Sequence, residues 1–338
     1  MFPASPPQAH PATRLWQVER DGNPLRRFGH VSPFIGKLAP VDARSLDQIG
    51  LLTRMALPDL PEPTLVIGMT ESSLLLAFFM ARWQQKPVDL KFTTRQIRQS
   101  EAKIDFREPH SHGPQHFLAL EPGKQYAQIV VIEDELTTGA TLRNLLLALE
   151  NVSKRVFVAT LRDLRPQSMR DDLTNELAEH GIELETLALE SLDVSLDEDI
   201  IPVCPIFNPF GRLENDRVAA LETLQNEFAE FKPGAIYMIG ECVDIALQFA
   251  LQLPEDERPE LRQITRSPWK VDGDHVHSAY KFASDGTGSN YFIYNFVPPQ
   301  NGRVLWIGET SNSVVGAQAE EFLKSQGVES RGILVAGG

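Results

Sequence analysis

The sequence predicts an α/β protein: a parallel sheet interleaved with helices, followed by a second, degenerate α/β unit of similar layout. Three observations predict it. Short apolar runs of strand length alternate with helix-like segments, as in a parallel sheet. One of those runs ends in two adjacent acids and a threonine-rich loop that leads into a helix. Elements of the first half then recur, in the same order, in the second.

Residues 1–27 read as a flexible tail. Its first fourteen residues are rich in Pro and lack the long apolar stretch of a signal peptide. Thr64-Leu65-Val66-Ile67-Gly68 has the continuous apolar character of a strand covered on both faces. Met69-Thr70-Glu71-Ser72-Ser73 is a turn, and Thr70 or Ser72 is placed to cap the helix after it. Residues 74–83 are apolar on nearly all sides and predict a buried helix. The run 74–81 is the longest of its kind and far too short to span a bilayer. Residues 88–92 form a short strand ended by Thr93-Thr94-Arg95, and the polar stretch 96–115 reads as a long loop. Strands follow at 117–120, 129–132 and 155–161, with helices at 142–149 and at 171–180, the latter ended by Gly181. Ligands of such sheets bind at the carboxyl ends of the strands, where Gly68 and Asp134 lie.

Of the 338 residues, 42% are hydrophobic and 23% charged, which suits a globular chain of about two domains. A formal net charge of -14 disfavours nucleic acid as a partner. It does not disfavour a small phosphorylated ligand held by local N–H groups. Cys204 and Cys242 lie far apart, which makes neither a disulfide framework nor a zinc pattern and fits a reducing, cytoplasmic setting.

The stretch Val130-Val131-Ile132-Glu133-Asp134-Glu135-Leu136-Thr137-Thr138-Gly139-Ala140-Thr141 carries the chemistry. The N–H groups and positive dipole end of a helix opening here suit a phosphate monoester. Thr137, Thr138 and Thr141 add hydroxyl donors, and Gly139 admits a close approach of backbone to ligand. Glu133 and Asp134 can accept hydrogen bonds from vicinal hydroxyls. A diol beside a phosphate describes a ribose 5-phosphate.

This stretch resembles the phosphoribosyl-pyrophosphate (PRPP) motif of type I phosphoribosyltransferases: four apolar residues, two acids, any residue, an apolar one, then a Thr-Thr-Gly-Ala-Thr-like loop. Every class of position is filled. The resemblance implies the parallel-sheet fold of that family, with PRPP held by Glu133, Asp134, Thr137, Thr138, Gly139, Ala140 and Thr141. It implies a pyrophosphate loop of Gly68, Met69, Thr70, Glu71 and Ser72. Glu71 departs from the familiar loop: it binds magnesium through water, faces the acceptor, or is an exposed helix-start glutamate. The resemblance also implies a mobile catalytic loop containing His110 and His112, with Arg95 before it as a cation for pyrophosphate. Those histidines, with His116, read as phosphate donors, solvated loop residues or metal ligands, and no third metal ligand is evident nearby.

The second half repeats the first in a worn form. Pro33-Phe34-Ile35-Gly36-Lys37-Leu38 has a counterpart in Pro209-Phe210-Gly211-Arg212-Leu213, and Leu65-Val66-Ile67-Gly68 in Tyr237-Met238-Ile239-Gly240. Thr94-Arg95 matches Thr265-Arg266, and His110-Ser111-His112 matches His275-Val276-His277. Val130 to Asp134 falls opposite Val304-Leu305-Trp306-Ile307-Gly308-Glu309, where one acid of the pair has become glycine. The retained Arg266 and His277 suggest a site for another anion, an acceptor or a partner surface. Thr265-Arg266-Ser267-Pro268 resembles the signature of the TRSP domain that follows a phosphoribosyltransferase in proteins of tellurite-resistance-associated gene clusters, and Thr93-Thr94-Arg95 and the His110 segment also look like that family. The implied organisation is a tail at 1–27, a phosphoribosyltransferase domain at 28–192, an acidic linker at 193–202 that leaves the halves separable, and a TRSP-like domain at 203–338. The implied activity is magnesium-dependent transfer of ribose 5-phosphate from PRPP to a base-like nitrogen acceptor, with Glu133, Asp134 and Arg95 catalytic and magnesium bound mainly through PRPP. A non-catalytic PRPP-sensing or scaffold protein is the alternative. Homodimerisation is left open, and neither nucleic acid nor membrane is an expected partner.

Overall fold

The chain enters through a hairpin, β1 (Trp16–Glu19) and β2 (Phe28–Val31), paired antiparallel. The computed structural model describes residues 14–22, 27–96, 103–107, 115–191, 206–283 and 289–336. After the hairpin come α1 (Ala43–Ala56), β3 (Thr64–Gly68), α2 (Leu74–Arg82), β4 (Val88–Thr94), β5 (Lys103–Arg107), β6 (Gln115–Ala119), β7 (Gln128–Leu136), α3 (Ala140–Ala148), β8 (Arg155–Asp163), α4 (Gln167–Glu179) and β9 (Glu183–Ala188). They build a seven-stranded sheet of order β5-β6-β4-β3-β7-β8-β9. Its central strands are parallel, and β5 and β6 add an antiparallel edge.

The second half contributes α5 (Glu214–Phe231), β10 (Ala235–Ile239), α6 (Asp244–Ala250), β11 (Glu260–Ile264), β12 (Ala279–Phe282), β13 (Tyr291–Tyr294), β14 (Arg303–Glu309), α7 (Ser313–Ser325) and β15 (Glu329–Val335). Its four-stranded sheet runs β11-β10-β14-β15, all parallel. The order β4-β3-β7-β8 of the first sheet is thereby repeated by β11-β10-β14-β15. The worn repeat read in the sequence is a repeat of topology.

One core serves both halves. Every residue of α2 and of α6 is buried; α2 is accordingly apolar on nearly all sides, while α6 buries Asp244 under Arg212 and has Gln248 accept the Phe207 N–H. Both helices lie in a single apolar cluster that also takes Val66, Val130 and Ile132 from the first sheet and Ile236, Met238, Leu305 and Ile307 from the second. Aromatic pairs close the seam, Phe78 against Phe207 and Phe92 against Phe210 with ring centroids 5.3 and 5.2 Å apart. Main-chain bonds cross in both directions. The N–H of Gln263 donates to Gly36 O and that of Phe92 to Pro209 O, at 2.8 and 2.9 Å. Each Pro-Phe segment of the repeat therefore lies against the other half's sheet.

Several expectations change. The linker at 193–202 lies outside the described residues, but separable halves do not fit a shared core. The tail expected over 1–27 contains β1, so ordered chain starts before residue 28. The polar stretch 96–115 contains β5, whose pattern of exposure matches an edge strand. β7 continues to Leu136, four residues beyond the apolar run, because β8 keeps pairing with it. Neither Thr70 nor Ser72 caps α2: its N-cap is Ser73, with no side-chain cap bond.

Close packing of α1 on α2 depends on Gly50, where a Cβ would lie 2.6 Å from the Phe79 carbonyl oxygen. Gly50→Ala is expected to lower stability by about 1–3 kcal/mol, the usual cost of overpacking, read as a lower urea midpoint with unchanged slope. Because the core is shared, fluorescence of Trp83 in the first half and of Trp306 in the second should follow one coincident transition. Two separated transitions would sink the shared-core account.

Candidate active site

The sheet has its topological switch between β3 and β7. From β3 the chain moves to β4 on one side and then crosses to β7 on the other. The helix after β3 packs into the shared core, and the helix after β7 packs its Leu142, Leu145 and Leu146 into a separate cluster with Ile129 and Val131. The two strand-end loops therefore part to opposite faces and leave a crevice between them.

The acids stand at that crevice. Pairing of β3 with β7 ends at Gly68 and Ile132, and the Met69 N–H donates to Ile132 O at 3.3 Å. From Glu133 onward β7 is accompanied by β8 alone. Glu133 is half-buried and Asp134 is 8% exposed, so the acids line a recess and do not project from a bare strand tip. Asp134 follows Val130 and Ile132 at the strand period of two, which turns it toward the shared core. The Thr160 hydroxyl donates to its main-chain oxygen at 3.3 Å.

The threonine loop has the geometry its composition suggests. Gly139 adopts φ 77°, a left-handed conformation that disfavours a side chain. Added bulk there would also meet the Arg165 guanidinium at 3.3 Å. Thr138 is exposed and takes the Ala140 N–H at 3.3 Å, while Thr137, Ala140 and Thr141 are half-buried. Gly139 offers α3 no side-chain cap, so most of the first-turn N–H groups are left to a ligand or water.

Across the crevice, Lys37 was not singled out from the sequence. Its ammonium donates to Ser72 Oγ at 2.8 Å and to Ser267 Oγ at 3.0 Å, and lies 3.8 Å from Glu71 Oε1. Burial pushes its pKa down, against the pull of Glu71 and Asp134. Glu71 itself is 5% exposed, which excludes the reading of an exposed helix-start residue. Its Oε1 accepts from the Thr265 hydroxyl and its Oε2 from Arg266 Nε at 3.1 Å. Burial opposes its charge, yet Lys37, Arg266 and the Thr265 hydroxyl together hold the carboxyl below the usual range. Elsewhere in the loop, Gly68 and Met69 are buried and the Thr70 N–H donates to Thr93 Oγ1 at 2.8 Å.

The same arrangement occurs with the halves exchanged. Glu241, in the turn before α6, accepts the Thr94 hydroxyl and the Arg95 N–H, the latter at 3.1 Å. Arg95 Nε lies 3.4 Å from His116 Nε2. Arg266 also donates to Glu241, so its guanidinium is clasped by a carboxylate from each half. Burial opposes the Arg266 charge, and Glu241 and Glu71 more than restore it. It is therefore not an open anion site, the first of the three readings the sequence offered for it. His277 is exposed, with its N–H on Asn295 Oδ1, and among the described residues no hydrogen bond joins it to Arg266. His110 and His112 lie outside the described residues. His116 is a buried strand residue against Phe106.

In the second half the matching crevice is filled from within. Arg212 donates to Asp244 through Nε at 2.8 Å and to Glu309 at 2.8 Å, and also reaches Ala336 O at 3.1 Å. Glu309 stands where Asp134 stands in the first half, since Ile132 and Ile307 occupy matching places beside β3 and β10. Lys37 and Arg212 are the two versions of one repeated cation. The Pro-Phe repeat contained that signal. Glu135, held by Arg20 and His30 of the hairpin, left no such mark.

With this geometry in view, residues 15–191 match the family model described as phosphoribosyl transferase. That stretch is slightly over half of the chain, and the chain belongs to that family. It begins within the expected tail and ends one residue short of the expected domain end. Solved structures of adenine phosphoribosyltransferases are similar at low identity. The Saccharomyces cerevisiae enzyme shares 11% identity with TM-score 0.35, covering 52% of this chain and 93% of that one. The Rhodothermus marinus enzyme shares 16% with TM-score 0.37, covering 51% and 92%. The Trypanosoma brucei enzyme shares 13% with TM-score 0.38, covering 63% and 90%. Membership in the family rests on the match over residues 15–191. No curated protein matches the chain. No described helix is long and apolar enough to cross a membrane.

Glu71 gives a pH dependence. A carboxyl held low in the folded state contributes stability that is present above the ordinary carboxylate range and lost as pH falls through its folded value. Urea unfolding followed from neutral pH downward should show a shallower acid loss in Glu71→Gln than in the wild type. Parallel curves would remove Glu71 from the account.

Proposed function

We propose that the chain transfers ribose 5-phosphate from PRPP to a base-like nitrogen acceptor and releases pyrophosphate. The observation that supports this most is the switch-point crevice, which brings Glu133 and Asp134 beside a helix start without a side-chain cap. In this reading the first-turn N–H groups of α3 and the hydroxyls of Thr137, Thr138 and Thr141 hold the 5-phosphate. Asp134 and Glu133 accept from the ribose hydroxyls. The acceptor nitrogen attacks C1 as the bond from C1 to the pyrophosphate oxygen breaks, and the bonding pair leaves with pyrophosphate. The two carboxylates favour the positive charge that develops on the sugar. The loop at 69–73 and Arg95 meet the departing pyrophosphate.

Glu133 and Asp134 are hard oxygen donors of the kind that accompany magnesium on phosphate ligands. Bound on PRPP oxygens, the ion would supply charge neutralisation at pyrophosphate. The composition suits work in the cytoplasm, and the Thr265-Arg266-Ser267-Pro268 tetrad suits a place among the enzymes of tellurite-resistance-associated clusters. A PRPP sensor without turnover is the second reading, because carboxylates and an open helix start serve binding as well as catalysis. Pyrophosphate release from PRPP over a panel of nitrogen bases, with products read by mass spectrometry, separates the two.

PRPP with magnesium should stabilise the protein by about 2.7 kcal/mol at roughly a hundredfold excess over Kd. A thermal scan in which inorganic phosphate gives an equal shift would count against the ribose half of the site. Asp134→Asn should weaken PRPP binding by about 1.5–3 kcal/mol, the loss of a charged acceptor, with the fold intact by circular dichroism. Wild-type affinity in this variant would remove Asp134 from the diol role.

A further inference from the structure

The tetrad Thr265-Arg266-Ser267-Pro268 makes its cross-half contacts at the crevice and the hairpin beside it. Thr265 and Arg266 take the two oxygens of Glu71. Ser267 Oγ accepts from Lys37, whose other hydrogen bond goes to Ser72. The carbonyl oxygen of Pro268 accepts from the Asp21 N–H at 2.9 Å. Three consecutive side chains of the second half thus converge on Glu71 and on the cation that holds Ser72, both in the loop at 69–73. The next residue extends the hold. The Arg20 guanidinium lies 4.6 Å above the Trp269 ring and donates to Glu135, the acid next to Asp134.

We propose that the second half is a built-in positioning domain for the first half's site: the tetrad latches the loop at 69–73 in place through Glu71 and Lys37, with Arg266 as its positioning residue. The physical reason lies in the burial. A carboxylate almost withdrawn from water must keep its cation and hydrogen bonds, so Glu71 stays where Arg266 and Thr265 stand. The backbone of a short loop follows a side chain fixed at its middle. Ordinary interdomain adhesion has no need to choose this loop. The shared apolar core already joins the halves, yet all three polar side chains of the tetrad reach Glu71 or the Lys37 cation beside it, Arg266 while also held by Glu241 of its own half. The role in PRPP binding rests on the proposed function; the latch on the loop does not.

The test compares the full chain with Arg266→Met, Arg266→Lys, Ser267→Ala, Glu71→Gln and the double variant Glu71→Gln/Arg266→Met. The first readout is hydrogen exchange without ligand. Amides of residues 69–73 should exchange about tenfold faster or more in Arg266→Met, with β15 amides unchanged, as in local opening. Arg266→Lys should restore part of the protection, and Ser267→Ala should give a smaller change of the same kind. The second readout is calorimetry with PRPP and magnesium, where Arg266→Met should weaken binding by about tenfold, the equivalent of about 1.4 kcal/mol. The double variant should lose less than the two single losses added, because Arg266 acts through Glu71. Unchanged exchange at 69–73, or a loss of protection spread evenly over the chain, overturns the latch. If Arg266→Met does not fold, Ser267→Ala carries the same comparison. If the wild type does not bind PRPP, the proposed function fails while the exchange result still decides the latch. If the wild type binds PRPP and the variants bind equally well, positioning of the site fails.

Discussion

Removing Glu71 from water is the constraint on which much of this architecture depends. A lone buried carboxylate would take up a proton or unfold its surroundings. Here the compensation comes from two places in the chain: Lys37 near the start, and the adjacent Thr265 and Arg266 of the opposite half. Arg266 has the same dependence on Glu241, and Glu241 on Thr94 and Arg95. Two carboxylates and their clasping residues thus bind the sheets together at the carboxyl ends of β3, β4, β10 and β11. Replacing such a network with apolar side chains often preserves stability, so its value lies in geometry. It sets where one strand-end loop stands relative to the other.

The apolar core has a complementary part. α2 is apolar nearly all round, and α6 buries its Asp244 and Gln248 with their partners, because each helix is covered by both halves. Close approach rather than propensity sets the details, as the contact of Gly50 with the Phe79 backbone illustrates. The hydrophobic effect holds the halves together without choosing a register. The polar clasp above the core and the main-chain bonds from Gln263 to Gly36 and Phe92 to Pro209 supply the register.

Legibility followed the range of the physics. β3, α2 and β7 were readable because burial on both faces writes a continuous apolar run into a few adjacent residues. The threonine loop was readable because a tight turn into a helix start places a left-handed glycine among small, hydroxylated residues in fixed order. α1 and α5 were not read. Leu46, Ile49 and Leu52 face the core in α1, but polar neighbours dilute the pattern. Glu71 was noticed, but as a magnesium ligand through water, a residue facing the acceptor or an exposed helix start, since nothing local shows a partner 195 residues away. The repeat was found, yet matching Gly68 to Gly240 set one strand out of register. Thr70-Glu71-Ser72-Ser73 precedes α2 as Gly240-Glu241-Cys242-Val243 precedes α6, and that pairing makes the two glutamates counterparts. Glycine identity was a weaker guide than the distance to the helix start.

The filled crevice of the second half has a consequence for dose and response. Arg212 sits among Asp244, Glu309 and the Ala336 carbonyl as a permanent occupant. A small anion would have to displace a buried guanidinium that already has its partners. On the function proposed above, the first half's crevice is the seat for PRPP, and the described residues of the second half offer no matching one through which to make saturation sigmoidal. On that reading, steepness in the response to PRPP would come from outside the chain, through assembly with other copies or with other proteins.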